Sequence, residues 1–191
     1  MKLHILIAMI LLSSSVFAQT TSKGTKKVKT EVSIITGPLD GERGTSAQIE
    51  VIPGIKFNGY HIGIGTGVDY YFIRTVPVFL EFKKAFKPNK NSAFVYADAG
   101  FDYPWPSNAN KVAQPQLNFT CGHRLAGGIG YQIAAFKNTF LQMSVGYSYK
   151  QLKQNVQGWV TIYDPRVDWF DYSQHYNYKL NRLAFNIGLS F

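Results

Sequence analysis

From about residue 28 to the last residue, apolar and polar positions alternate. The final segment is the clearest. Leu183, Phe185, Ile187, Leu189 and Phe191 share one face, and Ala184, Asn186, Gly188 and Ser190 share the other. Successive side chains of a strand point to opposite faces, so this is a strand with one apolar side. Leu141, Met143, Val145, Tyr147 and Tyr149 repeat the pattern against Gln142, Ser144, Gly146 and Ser148. So do Ile62 and Ile64 against His61, Gly63 and Gly65, and Val95, Ala97, Ala99 and Phe101 against Tyr96, Asp98, Gly100 and Asp102. Further alternating stretches cover residues 48–57, 76–83 and 124–133. A weaker first strand runs from about Val28 to Thr36. Eight strands are predicted.

The punctuation supports an up-and-down order. Asn58-Gly59 is a two-residue hairpin signal. Residues 87–91 and 136–139 read as short turns. Pro38–Gly44, Pro104–Gln116 and Gln151–Asn177 read as longer connections on the opposite end. The fold class is therefore all-β, an eight-stranded antiparallel up-and-down barrel.

The face pattern decides where that barrel sits. The polar face is rich in Gly, Ser, Ala, Asn and Gln, while Phe, Tyr, Leu and Ile crowd the other. Eight strands enclose only enough room for side chains to fill, so small residues suit the lumen and bulky ones suit lipid. The reading is a transmembrane barrel. Aromatic residues near strand ends, among them Tyr70, Tyr71, Phe72, Tyr103, Trp105 and Tyr176, are expected to form interfacial girdles.

Composition agrees. Of the 191 residues, 16% are charged, against roughly 25% in a soluble domain. Aromatics make up 15%, and the single cysteine excludes a disulfide framework or a Cys-rich zinc site. Residues 1–18 combine Lys2, an apolar run and small residues at Val16 and Ala18. This predicts a secretory signal peptide cut after Ala18. Residues 19–29 form a polar, Lys-rich lead-in, and residues 30–191 the barrel. The net charge of +9 would suit nucleic acid or an anionic membrane surface, and export argues against nucleic acid.

Charges on the small-residue face are mixed: Glu31 and Asp102, with Lys29 opposing them, accompany a core set. Glu50, Lys56, Asp69, Glu81, Lys83, Asp98, Arg124 and Arg182 are the expected members of a lumen charge network. Buried charges require partners. A salt-bridged plug is favoured over an ion pathway or proton relay.

In sum the chain resembles the outer-membrane β-barrel domain family of Gram-negative envelopes, the small OmpX/OmpW/OmpA-like barrels. The resemblance is carried by residues 63–71 (GIGTGVDYY), 74–81 (RTVPVFLE), 96–100, 127–131, 144–148 and 183–191. It implies an outer-membrane location, with both termini periplasmic since the strand number is even. It also implies outer-membrane lipid and the assembly machinery as partners, with Phe191 similar to the terminal assembly signal. One fold hosts several activities.

Small barrels of this kind include lipid A-modifying enzymes that pair a His with a Ser two positions on. His61, His123 and His175 are followed at that spacing by Gly63, Leu125 and Asn177. No catalytic residue, cofactor or metal site is therefore expected. The functional candidate is the connection 151–177, with Trp159, Tyr163, Trp169, Phe170 and Tyr172 as contact residues for a protein or glycan. An equally weighted reading makes part of it a hairpin extending the strands. The expected role is a non-enzymatic surface protein. The alternatives are a narrow pore or transporter for small solutes and, behind it, a lipid-modifying enzyme.

Overall fold

The computed structural model describes residues 28–87, 91–105, 116–136, 139–160 and 170–191, with side chains throughout except at 116–118, 157–160 and 170–172. The strands are β1 (Lys29–Gly41), β2 (Gly44–Phe57), β3 (Tyr60–Asp69), β4 (Thr75–Ala85), β5 (Ser92–Pro104), β6 (Gln116–Thr120), β7 (Gly122–Phe136), β8 (Thr139–Val160) and β9 (Phe170–Ser190). All pairings are antiparallel, and each strand from β1 to β5 pairs with the next. β5 then pairs with β7, β7 with β8 and β8 with β9. β9 returns to β1, with Leu189 opposite Ile34 and Ile187 opposite Thr36. The ring has eight members. β6 continues the line of β7 past a break at Cys121 and pairs with β8, Thr120 lying opposite Lys153.

The alternation sets which side faces out. Ile64, Leu80, Leu125 and Ile129 are each more than half exposed on the outer wall. A water-soluble barrel would not present such a continuous apolar band, but acyl chains would cover it. Glu50, Asp69, Lys83, Arg124 and Arg182 are buried inside.

The lumen glycines are sockets for inward rings. Gly65 lies under Phe79, Gly130 under Phe94, and Gly128 and Gly146 under Tyr96. A Cβ at Gly65 or Gly130 would sit within the van der Waals envelope of the ring it faces. Glycine there is a packing requirement of a narrow barrel.

The two ends differ. At the turn end, Asn58 and Gly59 both have positive φ, 49° and 86°, as a two-residue hairpin turn requires. The β4–β5 and β7–β8 connections and the outer ends of β1 and β9 lie at this end. At the loop end, two expectations change and one of two open readings is taken up. Pro38–Gly44 is not a long loop: β1 runs on to Gly41 and reverses through Glu42-Arg43 into Gly44 (φ 93°). Thr45 Oγ1 donates to Asp40 Oδ1 across that turn (2.6 Å). Proline and glycine at 37 and 38 suggested a break, but pairing with both β2 and β9 holds the strand extended. The described residues of the segment 151–177 are strand. β8 and β9 stay in register from Phe140↔Ser190 up to Val160↔Phe170, so the hairpin reading describes its backbone. Tyr71, expected in a girdle, is instead buried.

Candidate functional site: the lumen and its cap

The inward side chains form three tiers. Nearest the turn end, Lys56 Nζ donates to Glu31 Oε2 (2.6 Å), and Lys83 Nζ reaches Glu31 Oε1 (3.4 Å) and Glu81 Oε1 (3.9 Å). His61 Nδ1 lies 3.0 Å from the same Glu81 oxygen. Lys56 and Lys83 also stand over the Phe140 and Phe94 rings. Lys83 Nζ further donates to Ser33 and Gln142 (3.4 Å each), and Gln142 Nε2 donates to Ser190 Oγ (2.7 Å).

In the middle tier Arg124 Nη2 donates to Glu50 Oε1, with the guanidinium 4.6 Å from the centre of the Phe79 ring. Asp98 is opposite Glu81 in the β4–β5 register. Like charges placed so are unfavourable, and Lys83 and Arg124 supply the countercharge nearby.

The loop-end tier centres on Asp69, fully buried. Its Oδ2 accepts from Arg182 Nη1 (2.5 Å) and Lys150 Nζ (3.2 Å), and its Oδ1 from the Tyr71 N–H (2.7 Å). Lys150 also donates to Thr75 Oγ1 (2.6 Å), and Arg182 Nη2 to Ser148 Oγ (2.6 Å). Asp102 lies in the field of Lys150 and Arg124.

Above this tier the lumen is closed by an apolar cap. Leu39, Tyr71, Leu152, Leu180 and Ala184 form a buried cluster, with Phe72, Ile73 and Tyr178 packed against it. The 70–74 connection is pinned down for that purpose. Tyr71 Oη accepts from the Arg43 N–H (2.8 Å), and the Arg43 guanidinium lies 5.4 Å from the Phe72 ring and 5.8 Å from that of Tyr178. Phe72 adopts φ 67°, a strained conformation for a bulky side chain that only surrounding contacts sustain.

Little space is left. The lumen cavity, lined among others by Gln48, Glu50, Asp98, Arg124 and Gln142, measures about 20 Å³, close to the volume that admits one water. Among the described residues the lumen holds six carboxylates, Glu31, Glu50, Asp69, Glu81, Asp98 and Asp102. Facing them are five basic side chains, Lys56, Lys83, Arg124, Lys150 and Arg182, with His61. The arrangement sets buried charges of opposite sign against one another, though neither carboxylate oxygen of Asp102 has a hydrogen-bond partner among the described residues.

All eight residues expected in the lumen network are buried there; seven fall in two ion-pair clusters and one middle pair, while Asp98 makes no ion pair among the described residues. Two members of the inner face, Lys150 and His61, stand outside the expected charge network. Lys150 continues the Gln142–Ser148 alternation by one more step, and was lost by ending that strand at Tyr149. His61 was assigned to the inner face but not to an ion pair. Lys29, grouped with the inner charges, is exposed at the start of β1, where the barrel wall no longer surrounds it. Of the loop contacts, Tyr163 and Trp169 lie outside the described residues, as do the side chains of Trp159, Phe170 and Tyr172. The backbone of Trp159 pairs with Asp171, that of Phe170 with Val160, and that of Tyr172 with Gly158. Phe191 exposes its ring on the outer wall, and its backbone exchanges hydrogen bonds with Val32 (2.8 and 3.0 Å). Among the described residues no three His, Cys, Asp or Glu side chains are grouped to hold a metal.

A closed antiparallel ring with an apolar outside, a charged inside and unequal ends is the architecture of a small outer-membrane β-barrel. A solved structure agrees. The outer membrane protein AlkL, determined by solid-state NMR in DMPC lipid bilayers, superimposes with a TM-score of 0.53 at 8% identity, over 91% of this chain and 93% of that one. The outer membrane protein OprG from Pseudomonas aeruginosa is also similar, with a TM-score of 0.42 and 10% identity, over 86% and 94% of the two chains. No protein-family model and no curated protein matches the sequence. The chain has the outer-membrane barrel fold that its sequence resembles.

Proposed function

We propose that this protein is a closed, non-enzymatic outer-membrane barrel whose working part is the arm that β8 and β9 raise beyond the membrane. The observation that carries this reading is the combination of a filled lumen with two overlong strands. A strand crosses the hydrocarbon core with about 9–11 residues, whereas β8 has 22 and β9 has 21. Outward residues are apolar up to Tyr147 and Leu183, then polar: Gln151, Lys153, Asn155, His175, Asn177 and Lys179. Some ten residue pairs of the hairpin therefore stand in water, joined by β6 on one edge.

The salt-bridged core serves as a rigid plug that holds the arm, and the cap of Tyr71, Leu152 and Leu180 anchors its base. The arm presents a surface to a protein or glycan outside the cell. The termini lie at the opposite, periplasmic end, and Phe191 is read by the assembly machinery. Conductance tests the plug. Purified protein in a planar bilayer is expected to show no stable large openings. Sustained nanosiemens-scale channels would overturn the reading in favour of a pore.

A further inference from the structure

The basic excess of this chain is sorted by place. The lumen is close to neutral, as described. At the loop end, acidic and basic residues are mixed. Asp40, Glu42 and Asp171 lie in the loop-end strand segments or turns, and Asp164 and Asp168 fall between β8 and β9 in the sequence. Arg43, Arg74, Lys153 and Lys179 are among their counterparts. The described guanidiniums there are engaged, Arg43 between Phe72 and Tyr178 and Arg74 on Trp105 at 4.5 Å.

The turn end is different in kind. Among the described residues outside the lumen it carries lysine and no Asp or Glu side chain. Lys29 and Lys87 are exposed, and Lys84 stands beside them on the outer wall. The β4–β5 and β7–β8 connections add Lys90 and Lys137 by sequence, and Lys23, Lys26 and Lys27 precede β1. Among the described residues, every Asp and Glu is in the lumen or at the other end.

The geometry of Lys84 points to what these lysines meet. Its side chain runs along the Tyr60 ring, with Nζ 4.4 Å from the ring centre and donating to Tyr60 Oη at 2.5 Å. Tyr60 packs on Phe82, and exposed Phe57, Phe86 and Phe136 continue the belt. Aromatic rings settle at the lipid–water boundary, and a lysine beside them extends its ammonium to headgroup level. The ammonium is thus fixed in the plane of lipid phosphates, with further lysines beyond it.

We propose that the turn end is a docking surface for anionic glycerophospholipid headgroups of the phosphatidylglycerol type, held by Lys29, Lys84 and Lys87. Lysines near an anionic leaflet attract it within a Debye length. The surface would select anionic lipid for the ring around the barrel and fix that end to one leaflet. The inference rests on the membrane-barrel reading, but not on the arm.

The test is lipid enrichment around the folded barrel. The protein is placed in phosphatidylcholine nanodiscs containing a minority of phosphatidylglycerol, and retained lipids are counted by native mass spectrometry. Insertion is confirmed by heat-dependent gel mobility. Phosphatidylglycerol is expected to be enriched over its bulk share, and enrichment is expected to fall away at high salt. A variant with K29Q, K84Q and K87Q should lose it, at about five-fold per lysine at most. A loop-end variant of equal charge change, R74Q, K153Q and K179Q, should retain it. Equal loss in both variants, enrichment indifferent to salt, or displacement by free glycerophosphate would each overturn the proposal. Failure to insert at all would sink the membrane reading together with it, whereas insertion without enrichment would sink this inference alone.

Discussion

Arg182 of β9 donates to Asp69 of β3 across the lumen, although neither strand pairs with the other. Its ladder neighbours are Ser148 and Gly41. The pair is fully enclosed, and Lys150 makes the same carboxylate serve two cations. Taking one partner from a buried network leaves an uncompensated charge, which costs far more than an exposed pair is worth. Asp69→Ala is therefore expected to destabilise the barrel by about 3–5 kcal/mol. Urea unfolding in lipid vesicles measures it, and a loss under 1 kcal/mol would show that the network contributes little.

Gly65 and Phe79 give a packing prediction. Gly65→Val drives side-chain carbon into the Phe79 ring. Overpacking of this kind costs about 1–3 kcal/mol. Phe79→Ala creates space at the same place, so the double variant should recover much of what the Gly65→Val change loses. A double-mutant cycle reads the coupling. Strictly additive losses would mean that the two do not share the space.

The arm yields to deletion. Removing residues 159–172 should leave heat-dependent mobility intact while abolishing crosslinks from intact cells to any partner. The ladder from Phe140↔Ser190 to Gly146↔Ala184, together with the capping cluster, lies well below the cut. An unfolded deletion variant would make the arm structural, and unchanged crosslinks would move the contact surface elsewhere.

Phe191 separates two roles. Phe191→Ala keeps both backbone hydrogen bonds to Val32, and deleting the residue removes them. If the ring is an assembly signal, Phe191→Ala alone should slow insertion in cells while the purified, refolded barrel keeps its thermal midpoint. A lowered midpoint with normal insertion would make the ring a packing element only.

Much of this was legible along the chain. Asn58-Gly59 specified its turn through backbone preferences that those two residues satisfy locally. The inward placing of Glu50, Lys83 and Arg124 followed from period two, since an outer wall in lipid has no use for charge. The cap was not legible. Tyr71 reads as a girdle residue from its neighbours Tyr70 and Phe72, and only the inward fold of the 70–74 connection over Leu152 and Leu180 buries it.

The sequence by itself determined the strands and the face each side chain takes, because alternation is a property of the local backbone. Tertiary structure decided the partners. Asp69 meets Lys150 and Arg182, 81 and 113 residues away, because a closed ring brings non-adjacent strands face to face across the lumen. It also decided how small a cavity remains among the inward side chains. Whether inward rings such as Phe79 and Tyr96 block a channel depends on the glycines opposite them. That match belongs to the register between strands and to no single strand.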